Sequence, residues 1–201
     1  YTYIGHSKGL HQTGYDNMAS LKETICPLYG VAKAVASSET PSITMNHLTS
    51  VVAIKVTNTT EEPLTIEKAS LTAEEDIVGS YFIDITKSPV VYKASGETYV
   101  KNTAVVNVSD GTALDKGESA TLYLAIKPFT AEAGTSLTLS VNNYAKEPKA
   151  LTSDVTFHAG KIKTLNFAYD KVAPKTVTFD FTENKWDLPV STSDAGDAGN
   201  I

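Results

Sequence analysis

The chain has 201 residues, 41% hydrophobic and 20% charged, with a formal net charge of −6. That length can bury a core without disulfides or a structural metal, and the composition is that of a globular chain. All 17 basic residues are lysines, which disfavours a nucleic-acid partner, because phosphate and base-edge recognition lean on arginine.

The lone Cys26 excludes an intramolecular disulfide and a cysteine-rich zinc site. No apolar run approaches the roughly 20 residues that a membrane-spanning helix needs. Tyr1 to Gly5 contain no initiator methionine, basic segment or apolar leader, so the chain is expected to be a mature or excised form. The best helical stretch is short, Asn17 to Thr24.

From residue 43 onward the apolar period is mostly two. Val52, Ile54 and Val56 alternate with Ala53, Lys55 and Thr57, which predicts a strand with one buried face. Asn58 to Pro63 supply the turn. Leu64 and Ile66 resume the alternation, but Ala69 and Leu71 fall on the opposite phase, which predicts a β-bulge near Glu67 and Lys68. Ala120, Leu122, Leu124 and Ile126 form the cleanest strand and stop at Pro128. Leu137, Leu139 and Val141 follow, ended by Asn142 and Asn143. Val155 and Phe157 run into a turn at Ala159 and Gly160, and Leu165, Phe167 and Tyr169 return from it, which predicts a hairpin. Strands so punctuated by Gly, Asn and Pro indicate an all-β, mostly antiparallel sandwich.

Lys171 to Pro174 reads as a linker. Beyond it, Val177, Phe179 and Phe181 alternate with polar residues and present one strongly apolar face. The expected division is a sandwich domain over residues 1–173 and a linker and strand over 174–201. That strand begins a second domain, completes the first sandwich, or pairs with another copy of the chain.

The residues give little support to catalysis. The Gly-x-Ser-x-Gly, Gly-x-Gly-x-x-Gly, phosphate-loop and His-Glu-x-x-His patterns are absent, and Gly160-Lys161-Ile162 lacks the phosphate loop's hydroxyl residue. His6 and His11 lie near Asp16 in a Gly-containing stretch, too few ligands for a metal. His47 and His158 have no adjacent carboxylate and read as structural hydrogen-bonding groups. Glu61-Glu62 and Glu74-Glu75-Asp76 read as solvated turn acids, and Asp194 and Asp197 offer too few oxygens for calcium. Asn58-Thr59-Thr60 and Asn107-Val108-Ser109 match the N-glycosylation pattern, a frequent chance match. No enzyme activity, cofactor or metal is expected.

The run Ile43-Thr44-Met45-Asn46-His47, followed by the strand through Val56 and then Asn58, resembles a signature of Bacteroidetes fimbrillin-like proteins. In the same order come Leu64-Thr65-Ile66 with Leu71 and Gly79-Ser80-Tyr81, then Tyr123 to Pro128. Last come Phe157-His158-Ala159-Gly160-Lys161-Ile162 and Leu165-Asn166-Phe167. The resemblance covers roughly residues 28–170. It implies a transthyretin-like sandwich in a subunit of surface fimbriae, exported to the outer membrane as a lipid-anchored precursor and trimmed after an arginine. It further implies polymerisation with other fimbrial subunits by strand exchange, with Val177, Phe179 and Phe181 as the candidate exchanged strand. A host surface protein or glycan is the implied adhesion target. The alternatives are a carbohydrate-binding surface lipoprotein of a glycan-uptake system, with Tyr92, Tyr99 and Tyr144 as candidate sugar platforms, and, last, a glycoside hydrolase fragment.

Overall fold

In the computed structural model, residues 2–5, 12–13, 21, 26–32, 42–108, 111, 113–170 and 182–185 are described. In chain order the strands begin with β1 (Thr2–Ile4), β2 (Gln12–Thr13), β3 (Leu28–Ala32), β4 (Ile43–His47), β5 (Ser50–Asn58), β6 (Leu64–Thr65) and β7 (Lys68–Thr72). Next come β8 (Val78–Asp84), β9 (Val91–Ala94), β10 (Val100–Lys101), β11 (Thr103–Asn107), β12 (Ala113–Leu114), β13 (Ser119–Ile126) and β14 (Phe129–Ala131). The remainder are β15 (Ser136–Val141), β16 (Tyr144–Ala145), β17 (Lys149–Ala150), β18 (Val155–Phe157), β19 (Lys161–Tyr169) and β20 (Thr182–Lys185).

The fold is all-β, and its six-stranded sheet shares one core with one of its two four-stranded sheets. One has the order β13-β5-β19-β20 and the other β16-β15-β7-β11-β2. Alternate residues of both enter one core. Ile54, Val56, Leu122, Leu124, Leu165 and Phe167 come from the first sheet, and Leu71, Val106, Leu137, Leu139 and Val141 from the second. Each such aliphatic or aromatic side chain contributes roughly 1.5–3 kcal/mol by leaving water, which is what drives the two sheets together.

The outward phase of β5 is also apolar, and Val51 packs there with Ala125 and the buried Cys26. That second cover explains why β5 is buried at seven of the nine positions from Ser50 to Asn58, all but Lys55 and the half-buried Thr57. A strand covered on both faces reads as a nearly continuous apolar run. Burial pushes the Cys26 thiol up to about 12, with the Thr49 hydroxyl pulling the other way.

Two local expectations change, and a third pattern gains a structural role. First, β18 and β19 are not a hairpin. β18 pairs antiparallel with β14, while β19 runs parallel to β5 in the register Ile162↔Val51 to Tyr169↔Asn58. The turn between them carries the chain from one pairing to another, and Gly160 takes a φ of 70° there, a conformation that costs a side chain roughly 1–2 kcal/mol. Alternation alone misleads here because both strands bury their apolar residues in the same core.

Second, Glu67 and Lys68 do not form a bulge. The chain leaves β6, which pairs with β12, and enters β7, which pairs with β11 and β15. Changing sheets shifts the phase of Ala69 and Leu71 without an extra residue in a ladder. Asn142 secures the crossing: its side chain accepts from Glu67 N and Lys68 N and donates to Thr65 O. Asn142 and Asn143 both have positive φ, 48° and 70°, between the paired Val141 and Tyr144, as a two-residue hairpin turn requires.

Third, the Asn58 pattern is a structural node. Its fully buried amide donates to Glu62 O and Leu114 O, each at 2.8 Å, and its Oδ1 accepts from Thr60 N. Of the Asn17–Thr24 stretch only Leu21 is described, and the expected boundary at 173/174 also lies outside the described residues.

Candidate functional site

Two smaller elements stand beside the sandwich and frame a groove. β3 and β4 form a two-stranded antiparallel ribbon in the register Leu28↔His47 to Ala32↔Ile43. Val31, Ile43 and Met45 on this ribbon are each more than half exposed, at 55%, 60% and 55%. A Cβ at Gly30 would sit 2.7 Å from Ile43 Cγ2 and 2.8 Å from Met45 Sδ, so a side chain there would make both of them shift. Across the groove, β8 and β9 pair, and the connection between them includes Pro89, whose peptide bond with Ser88 is cis.

The groove has a volume of about 680 Å³. Its walls are Tyr29, Met45, Asn46 and His47 on the ribbon side and Pro89, Val90 and Tyr92 on the other. The floor contains Phe129 and Phe157, whose rings stack at 4.8 Å and 8° across the β14–β18 pair. The Tyr92 hydroxyl donates to Leu48 O at 3.0 Å, tying the far wall to the base of the ribbon. The Tyr92 ring also meets Tyr81 edge to face, and its phenol is held above the ordinary range, chiefly by burial.

His47 and His158, far apart in sequence, both line this groove. Gly160 explains how His47 is seated: a Cβ at that turn would lie 3.3 Å from the His47 ring, and Gly160 N donates to Thr49 O at 2.8 Å. Burial lowers the His47 pKa from its ordinary value by disfavouring the charged imidazolium. No charged residue is among the lining residues described.

Of the three candidate sugar platforms, only Tyr92 lines the groove. Tyr99 is 65% exposed and lies outside it. Tyr144 belongs to the far structural network, where its ring packs edge to face on Phe167 and Tyr169. Its hydroxyl donates to Asp170 at 2.6 Å, and Lys146, buried at 5% exposure, pairs with the same carboxylate at 2.7 Å. The hydrogen bond to Asp170, with burial, pushes the Tyr144 phenol up to about 12.

Tyr29 and Phe129 were not singled out by periodicity or motif, and Asn46 entered only as part of the Ile43–His47 run, since a groove wall assembled from separate loops and strands has no local pattern. Val177, Phe179 and Phe181 lie outside the described residues, as do His6, His11, Asp16, Asp194 and Asp197. Among the described residues there is no group of three or more His, Cys, Asp or Glu side chains that could hold a metal ion. Glu75 pairs with Lys127 and Glu61 with Lys116, while Glu74 accepts from Ser136 N.

A second feature is the outer edge of β19. On one side β19 is paired with β5 from Ile162 to Tyr169. On the other, its ladder with β20 covers only Lys161 to Thr164, in the register Lys161↔Lys185 to Thr164↔Thr182. Among the described residues, Leu165–Tyr169 has no strand on that side.

No protein-family model and no curated protein matches the sequence. Among solved structures, the chain is similar to a "putative cell adhesion protein" from Bacteroides ovatus, with 14% identity and a TM-score of 0.45 over 73% of this chain and 48% of that one. It is also similar to one of the same description from Bacteroides uniformis, with 15% identity and a TM-score of 0.43 over 72% of this chain and 53% of that one. The chain spans about half the length of these two solved structures.

Proposed function

We propose that the chain is a non-catalytic subunit of a surface adhesive fibre that joins its neighbours by β-strand complementation. The observation that carries this reading is the outer edge of β19. An edge that continues past its partner leaves backbone donors and acceptors for an added strand, and pockets for alternate side chains give that strand its specificity.

The apolar alternation of Val177, Phe179 and Phe181 supports them as that strand. In the exchange proposed, a neighbour's strand takes this lane in the register that pairs Thr164 with Thr182, so that its Phe181 meets Leu165, its Phe179 meets Phe167 and its Val177 meets Tyr169. Directly opposite residues share a face. Leu165, Phe167 and Tyr169 are buried in the sandwich core, so the apolar side of the added strand joins that core. The same lane accepts the strand from its own chain or from a neighbour, and the proposal assigns it to a neighbour. The fimbrillin-like resemblance of residues 28–170 supports the same assembly and a location at the cell surface.

Cross-linking tests this. The same register sets exposed Asn166 opposite Asp180. Opposed strand residues lie about 4.5–5.5 Å apart at Cα, within disulfide range. Co-expressed Asn166→Cys and Asp180→Cys chains are expected to form an interchain disulfide. A bond that forms only within a chain carrying both substitutions would overturn strand donation.

A further inference from the structure

We propose that the groove between the β3–β4 ribbon and Tyr92 is the adhesion site and takes an uncharged oligosaccharide. This rests on the reading of the chain as an adhesion subunit and specifies what that subunit grips.

The lining chemistry selects the ligand. Fifteen described residues line the groove, and none of these is Asp, Glu or Lys. In a chain with 20% charged residues, about three would be expected there. The described lining offers an acidic or sulfated ligand no cation and a basic one no carboxylate. What the groove offers instead are neutral hydrogen-bonding groups beside its aromatic rings: Asn46, His47 and His158, with the Thr130 and Thr156 hydroxyls, which pair with each other at 3.0 Å. Hydroxyl-rich ligands need this mixture of donors and acceptors, which amide, imidazole and hydroxyl side chains supply without charge.

The apolar half of the site suits a sugar as well. A pyranose has one face of C–H groups that packs on an aromatic ring, and Tyr29, partly exposed, lines the groove from the ribbon side. Tyr92 is fastened through its hydroxyl to Leu48 O, so its ring is already fixed before a ligand arrives. The volume of about 680 Å³ lies within the range of roughly 300–1,000 Å³ common to small-ligand sites. Fixed walls lower the ordering cost of binding.

The test is a binding titration of the full chain against neutral glucan, mannan and galactan oligosaccharides, with sialylated and sulfated oligosaccharides alongside. At least one neutral series is expected to bind. Tyr29→Ala and His47→Ala should each weaken it about tenfold, the scale of one lost ring or hydrogen-bond contact. Tyr29→Phe should keep most of the affinity, and Tyr99→Ala, outside the groove, should leave it unchanged.

Absence of binding to every neutral series would overturn the proposal, as would tighter binding to a charged glycan or affinity that ignores both alanine changes. Concentration-dependent dimers abolished by Met45→Glu would also overturn it, by making the groove a protein interface. The Asn166 and Asp180 cross-link is read on the same preparations. Loss of sugar binding with cross-linking intact counts against the glycan site alone, and the reverse counts against strand donation alone.

Discussion

Asn58→Ala is expected to destabilise the sandwich severely, although residue 58 does not line the groove and meets β19 only on its inner side, opposite Tyr169. The side chain is fully buried and ends β5 by holding three segments at once. Its amide donates to Leu114 O in β12 and to Glu62 O in the following turn, and its Oδ1 accepts from Thr60 N at 3.0 Å and Thr60 Oγ1 at 2.7 Å. Alanine leaves the buried Leu114 carbonyl without that donor, at roughly 1–3 kcal/mol, and gives up partly buried bonds worth about 1 kcal/mol each before water replaces some of them. The expected loss is about 3 kcal/mol, or a Tm lowered by roughly 6–12 °C for a domain of this size. Asn58→Asp keeps the acceptor but turns a carboxylate toward two carbonyls, so the introduced group has a raised folded pKa. Its penalty is absent below the unfolded value near 4 and grows as pH rises from there toward the folded value. Thermal unfolding of both variants at pH 4 and pH 7 checks this. A loss under about 1 kcal/mol for Asn58→Ala, or an aspartate variant equally stable at both pH values relative to wild type, would refute the reasoning.

Phe157→Ala removes a side chain with no exposure that stacks on Phe129, and is expected to cost about 3–5 kcal/mol by denaturant titration while opening the groove floor. Gly160→Ala should cost about 1–2 kcal/mol from its φ of 70°, and heteronuclear NMR should show its shift changes centred on His47. Burial raises the Asp170 pKa, but hydrogen bonds from Lys146 and Tyr144 outweigh it and leave that pKa below the ordinary value. The stability this contributes is present above the unfolded carboxylate pKa near 4 and is lost as pH falls through the folded value. Lys146→Met should therefore flatten that part of the stability–pH curve. Cys26 should resist thiol reagents at pH 8 in the folded chain and react once denatured, because burial pushes its thiol up to about 12.

The sandwich itself was legible because its main strands alternate cleanly. Val52, Ile54 and Val56 lie in β5, Ala120 to Ile126 in β13, and Leu137 to Val141 in β15, all facing one core. Their partners were less legible. The parallel pairing of β5 with β19 joins residues more than a hundred positions apart, and no local turn announces it. Side-chain phase also cannot distinguish a bulge from a change of sheet, so the shift between Ile66 and Ala69 admitted both. The groove was least legible. His47 and His158 each look isolated in sequence, and only the turn at Gly160 brings them to one wall. Tyr144, a plausible surface ring by sequence, is held by Asp170 and the edges of Phe167 and Tyr169.

Strand donation between copies is the claim on which the functional account turns. Material sheared from native cells, separated in SDS with and without boiling and probed for this chain, tests it most directly. The account predicts a ladder of multimers that collapses to one band on boiling, because strands added to a sandwich edge share its core and are released only when it unfolds. A single monomer band in the unboiled sample, retained with the cells, would contradict it.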